Sequence, residues 1–226
     1  RNVLLEDFTG QDCSNCPTAH EVVASLKEQY GDAVVAVAVH ATSVFGIPEG
    51  DPRGGLMLPD GNVYLSQWAN PDNVSLPTGV VNRRGGLCDY SKWSTTVRDA
   101  LAEDTQVQLS IEADSVVGKD SIAIRVHLEP GVTVNAKLQL WVTENGIVAR
   151  QRNGRQTDRK YVHNHVYRGA VNGVGGEEVS LQKDMFLDFE RGVQIKSEWN
   201  VENLSVVGFV YTEADGVLQA VECEVK

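Results

Sequence analysis

From the N-terminus, the chain shows apolar runs and amphipathic stretches of helical period, and after residue 104 it changes to a two-residue alternation. Leu4, Leu5 and Phe8 predict a short strand. Ala19, Val22, Val23, Leu26 and Tyr30 follow at three- and four-residue spacing, which predicts an amphipathic helix stopped by Gly31. Val34 to Val39 is continuously apolar and mostly β-branched, as in a parallel strand covered on both faces. Together these make a right-handed βαβ unit. Residues 43–61, with four Gly and three Pro before Gly61, are too long for an ordinary connection and are expected to form a functional loop. A short helix around Val63–Trp68, a strand Gly79–Asn82, a turn at Arg83–Gly86 and a helix Tyr90–Ala102 close this half.

Beyond Asp104, Val107, Leu109, Ile111 and Ala113 alternate with polar residues. Ile122 to Leu128 and Ala136 to Val142 repeat the pattern of half-buried antiparallel strands. Turn signals fall at Val117–Asp120, Asn145-Gly146 and Asp215-Gly216. Further strands are predicted over Met185–Phe189, Val193–Trp199, Leu204–Tyr211 and Val217–Val225. About seven strands joined by hairpin turns read as an immunoglobulin- or fibronectin-like sandwich. The expected organisation is two domains: an α/β domain over 1–104 with a loop insertion at 43–61, and a β-sandwich over 105–226.

Charge narrows the partners. The 226 residues hold 20 Lys+Arg against 31 Asp+Glu, a formal charge of −11 that repels phosphate backbones and excludes nucleic acid. No apolar run of about 18 residues is present, so no transmembrane helix is predicted. The first residue is Arg1, which fits removal of a leading segment such as a signal peptide on export.

The chemistry concentrates at Cys13-Ser14-Asn15-Cys16, between the first strand and its helix. Unpaired N–H groups and the macrodipole at a helix start favour a thiolate, and a second cysteine can resolve a mixed disulfide. Cys13 is expected to be the more exposed, attacking thiol and Cys16 the resolving one. A disulfide that only ties the turn to the helix is the alternative. A zinc site would need more than Cys13, Cys16 and His20, and no second cysteine pair supplies it, so no metal is assigned. His163 and His165 would share one face of a strand without an evident third ligand, and are read as hydrogen-bonded packing residues. His40, ending the buried strand, is read as a satisfied core histidine. Cys88 and Cys223 stand alone, and their pairing is left open.

Strand, Cys-x-x-Cys helix, buried strand, helix, Leu76-Pro77-Thr78 ahead of a strand, hairpin and last helix resemble the thioredoxin fold over about the first hundred residues. The resemblance implies a cis Leu76–Pro77 bond beside the dithiol, with Leu76 and Thr78 contacting substrate. It makes Asp7 the buried carboxylate that assists proton transfer, with Glu6 as the alternative. Asp12 departs from the pattern, since an aromatic residue usually precedes the first cysteine. A carboxylate there is expected to border the substrate and to oppose thiolate formation. The stretches Thr143–Ala149, Tyr161–Gly173 and Val217–Val221 extend the likeness to the whole chain, which resembles the twenty-eight-kilodalton outer membrane proteins of Bacteroidetes. That family joins a thioredoxin-like domain to a β-sandwich and is secreted or lipid-anchored. The resemblance implies an extracytoplasmic protein associated with the outer membrane, periplasm or cell surface; a lipid anchor, where the family carries one, would lie upstream of Arg1. The expected function is a cofactor-free thiol–disulfide oxidoreductase acting on protein thiols or disulfides. The alternative is a non-enzymatic lipoprotein that binds a protein or glycan partner and keeps the disulfide as a structural bond.

Overall fold

A computed structural model describes every residue from Arg1 to Lys226. The first part runs β1 (Val3–Thr9), α1 (Cys16–Tyr30), β2 (Val34–His40), α2 (Pro59–Ser66), β3 (Thr78–Val81), β4 (Arg84–Cys88) and α3 (Trp93–Leu101). Ten strands follow: β5 (Val107–Ser115), β6 (Ser121–Pro130), β7 (Val134–Glu144), β8 (Ile147–Asn153), β9 (Gln156–His163), β10 (Val166–Ala170), β11 (Glu177–Leu181), β12 (Leu187–Gln194), β13 (Leu204–Thr212) and β14 (Gly216–Glu224).

One nine-stranded sheet carries both parts, in the order β14-β13-β7-β10-β2-β1-β3-β4 with β11 on β7. The junction is parallel, Val166 of β10 beside Ala38 of β2. β2 lies between β1 and β10 and is buried throughout, which explains its unbroken apolar run. α1 and α3 cover one face of β1–β3, packing Ala19, Val23, Leu26, Trp93 and Val97 on Val3, Leu5, Val34 and Ala36. The other face holds a core around Phe8, Val37, Tyr64, Trp141, Tyr167 and Phe209. The sheet curls around it until Val217 N–H donates to the Asn82 carbonyl at 2.8 Å. A three-stranded sheet, β12-β6-β5, packs its alternating apolar row on β7, β13 and β14.

Several boundaries differ from the periodicity. α2 begins at Pro59, a residue suited to a first helical position, and precedes the expected Val63–Trp68. The strands expected at Met185–Phe189 and Val193–Trp199 are one strand, β12, paired with β6 from Leu187↔Leu128 to Gln194↔Ser121. Asp184 has φ 63° and Met185 and Phe186 are exposed, which delays the strand start. β8 to β11 carry no clear apolar alternation, because β8 and β9 cover polar groups and β11 is only five residues long. Cys88 and Cys223 are free thiols.

Centrally buried β1 carries two adjacent carboxylates on opposite faces. Glu6 receives both guanidinium arms of Arg83, at 3.0 and 3.1 Å. Arg83 sits at φ 53° in the β3–β4 turn and lies over Tyr211 and Phe209, 4.6 and 4.8 Å from their ring centres. Removing one member of such a pair leaves a buried charge without a partner, so Arg83→Met should cost about 3–5 kcal/mol of unfolding free energy. The double variant Glu6→Leu/Arg83→Met should cost less than Arg83→Met alone. Denaturant titration of the three proteins checks this, and a double variant weaker than the single one would refute it.

Candidate functional site around the Cys13–Cys16 disulfide

Cys13 and Cys16 are joined in a disulfide at the start of α1, with Pro17 in its first turn and Gly31, φ 56°, at its end. Both are buried, at 1% and 0% exposure, so Cys13 is not the exposed thiol that its place before the helix predicts. The physical reason lies in two distant segments that close over the turn. The 43–61 loop reaches it through the Phe45 carbonyl, which accepts from Asp12 N–H at 2.8 Å. Gly10 permits that approach, since a Cβ there would come within 2.6 Å of the same oxygen.

The second cover is the β8–β9 hairpin, a two-stranded sheet with no ladder to any other strand. Arg152 N–H donates to Gln11 O at 2.7 Å and Gly154 N–H to Ser14 O at 2.9 Å. Two buried glutamines cross the interface in opposite directions. Gln151 Nε2 donates to the carbonyls of Gly10 and Cys13, at 3.1 and 2.9 Å. Gln11 Nε2 donates to Gly54 O and Arg150 O, while its Oε1 accepts from Leu56 N–H, all within 2.9–3.1 Å. Gln11 thus ties loop, turn and hairpin together. Asp12 lies 2.8 Å from Arg150 and 3.6 Å from Arg53, so two guanidiniums offset the carboxylate that the sequence reading set against the thiolate.

Beneath the same hairpin lies a cavity of about 230 Å³ between α1, β1 and β2. Ala24, Ala36 and Ala38 leave the space, and Asp7, His20, His40, Tyr161, His163 and His165 line it. His20 bridges Thr9 Oγ1 at 3.0 Å and the Tyr161 hydroxyl at 2.7 Å. Both oxygens of Asp7 and both ring nitrogens of His40 are buried without a protein partner, so His40 is not the satisfied core histidine expected. His163 ends β9 and His165 lies beyond it at φ 56°, but both reach the cavity. Burial pushes the Asp7 carboxyl up to about 8. Burial, together with the neighbouring imidazoles, pushes His20 down to about 3, and burial pushes His163 down to about 4. At neutral pH these groups are uncharged.

The sequence-predicted residues fall into two groups. Asp7 faces the cavity, whereas Glu6, the alternative base, is committed to Arg83 on the opposite face. The Leu76–Pro77 bond is cis, and Leu76 belongs to the same buried cluster as Cys13 and Cys16. Thr78 opens β3 and donates from Oγ1 to the Cys88 carbonyl at 3.3 Å. Gln151 and Gln11 escape sequence reasoning, because their partners lie up to about 140 residues away, and the four cavity imidazoles are each visible in the sequence but their convergence on one cavity is not. Neither glutamine carries a local signal: Gln11 follows Gly10 in a turn, and Gln151 lies between Arg150 and Arg152 in β8.

These features define a β-rich protein in which a disulfide turn is sealed by a hairpin from the second half of the chain. The sequence profile described as "Outer membrane protein Omp28" matches residues 64–226, and the chain belongs to the Omp28 family. It is therefore an extracytoplasmic, outer-membrane-associated protein; no helix is long and apolar enough to cross a membrane. The match includes the hairpin and excludes the Cys13–Cys16 turn. No curated protein matches the chain. Its structure is similar to HBP35 of Porphyromonas gingivalis, with TM-score 0.78 and 17% identity over 100% of this chain and 75% of that one. It is also similar to a structural-genomics protein of Agrobacterium tumefaciens, with TM-score 0.56 and 15% identity over 98% and 93% of the two chains. At such identities the likeness is one of fold.

The cavity sets a pH dependence. Asp7 titrates near 3.8 when unfolded and near 8 when folded, so its contribution favours the folded state at low pH and is lost as pH rises from about 4 to 8. His20 and His163 act oppositely: the unfolded chain takes up protons below about 6.5, and stability falls from there towards acid. Asp7→Asn removes only the first effect. Its gain in melting temperature over the parent should therefore grow between pH 5 and 8 and level off above; a constant difference would contradict the assignment.

Proposed function

We propose that this Omp28-family protein is a non-enzymatic binding protein of the outer membrane that engages a protein partner and holds Cys13–Cys16 as an inert bond. The observation that carries this reading is the near-complete burial of both cysteines. Thiol–disulfide exchange needs a thiolate to reach a sulfur atom, and with the hairpin closed the covered turn denies that approach. A structural bond of this kind suits an oxidising compartment.

A second reading, a thiol–disulfide oxidoreductase, has specific support. In it, residues 1–104 form a thioredoxin-like domain followed by a β-sandwich over 105–226. The parallel β1–β2 and antiparallel β1–β3 pairing favour that view, as does the cis Leu76–Pro77 bond ahead of β3. The Asp7 carboxyl near 8 is matched to a thiol of ordinary pKa, about 8.5, so a proton could pass between them at little cost. In this scheme a substrate thiolate bonds to Cys13, the Cys13–Cys16 bond breaks, and Cys16 leaves as the thiolate that Asp7 protonates. Leu76, Pro77, Thr78 and Asp12 would border the substrate. No cofactor enters.

Equilibration with glutathione separates the readings. The binding reading expects a Cys13–Cys16 potential below about −300 mV. It also expects Cys16→Ser to form no lasting adduct when offered a protein disulfide. A higher potential together with a stable mixed disulfide on Cys13 would overturn it in favour of the oxidoreductase.

A further inference from the structure

The β8–β9 hairpin differs from the rest of the molecule in charge. Residues 147–163 hold five of the chain's 20 Lys+Arg and one of its 31 Asp+Glu, leaving 15 against 30 elsewhere. Arg152, Arg155, Arg159 and Lys160 are exposed. Val148 and Val162 stand opposite each other in the ladder and are 63% and 50% exposed. The exposed surface of the ribbon is therefore basic, with an apolar pair at its root.

The attachment of the hairpin is local. Its two strands pair only with each other, and a two-stranded ribbon is marginal without outside support. Support comes from the bonds to Gln11, Ser14, Gly10 and Cys13 and from the His20–Tyr161 bond. Gly146 and His165, at φ 72° and 56°, flank the two ends where the ribbon joins the large sheet. Lifting the ribbon about those ends would break these bonds and release Arg150 from Asp12, while leaving the nine-stranded sheet intact.

We propose that this hairpin is a hinged cover whose basic outer face docks an acidic polypeptide, and that docking lifts it and uncovers the Cys13–Cys16 disulfide. A partner shifts such an equilibrium only if it prefers the open form. Arg150 supplies the preference: closed, it is held by Asp12; open, it is free to take a carboxylate of the partner. A polypeptide fits better than an anionic bilayer, because an extended surface would also meet the acidic remainder of the chain. It also offers apolar side chains to Val148 and Val162. The proposal goes beyond the binding reading by naming the partner's chemistry, and it concerns access to the disulfide, whatever its potential.

The test is the rate at which dithiothreitol, a small neutral reductant, opens the disulfide of the whole chain, read by alkylation and mass measurement. An Asp/Glu-rich peptide containing a few Leu should accelerate reduction about tenfold at low salt, equivalent to about 1.4 kcal/mol of preference for the open form. The acceleration should vanish at high ionic strength. In the variant Arg152→Gln/Arg155→Gln/Arg159→Gln/Lys160→Gln, confined to exposed positions, the ratio of rates with and without peptide should fall towards one. Gln151→Ala should raise the rate without peptide. No acceleration, slowing, equal acceleration of the variant, or acceleration by phosphatidylglycerol vesicles but not by the peptide would each overturn the proposal. The glutathione potential is an equilibrium quantity, so failure of the inert-bond reading is scored separately from failure here.

Discussion

Placing two adjacent carboxylates in a strand buried on both faces is the constraint on which much of this structure turns. Successive side chains of a strand point to opposite faces, so Glu6 and Asp7 cannot share a solution. Glu6 is answered by Arg83, held in a left-handed turn and stacked against Tyr211 and Phe209 of β13. The ion pair of the first part is thereby completed by aromatic side chains of the second. Asp7 has only the His20 ring nearby, 3.7 Å from Oδ2 and neutral because burial lowers its pKa, and its answer is to keep its proton. Burying an unpaired charge would cost far more than a shifted titration.

That pocket exists because β2 offers alanines where a packed core would carry larger residues. Ala36 and Ala38 open space under α1, and polar rings fill its walls in place of aliphatic ones. A buried donor or acceptor without a partner costs about 1–3 kcal/mol, and Asp7 and His40 present four such atoms. Water suits the space, which exceeds the volume of several molecules. The stability surrendered here is what sites of function commonly surrender, where local rules give way to a role.

The same hairpin roofs the cavity with Tyr161 and His163 and seals the disulfide with Gln151, Arg152 and Gly154. Protein–protein hydrogen bonds are worth about 0.5–1.5 kcal/mol each in net terms, so a handful of them holds a ribbon closed without locking it. A turn whose local chemistry favours a reactive thiolate is therefore subordinate to a segment almost 140 residues away. The binding and redox readings differ less in geometry than in how often that ribbon opens.

Local pattern alone was enough for the βαβ start, the buried β2, the alternating β5, β6 and β7 and the Cys13–Cys16 pair at a helix start, because each is written in neighbouring residues. Asp7 was legible as a buried carboxylate only through the resemblance to the thioredoxin fold, which left Glu6 as the alternative, and Leu76-Pro77-Thr78 as a feature ahead of a strand. The hairpin was not, since a ribbon that is basic outside and covers polar groups inside carries no apolar period to read. Nor were the burial of Cys13, the commitment of Glu6 to Arg83, the orphaned nitrogens of His40 or the run of one sheet through both halves. Each depends on partners brought together from distant positions, and spacing along a chain constrains contacts within a strand or helix turn but not the side chain that a closing sheet sets against them.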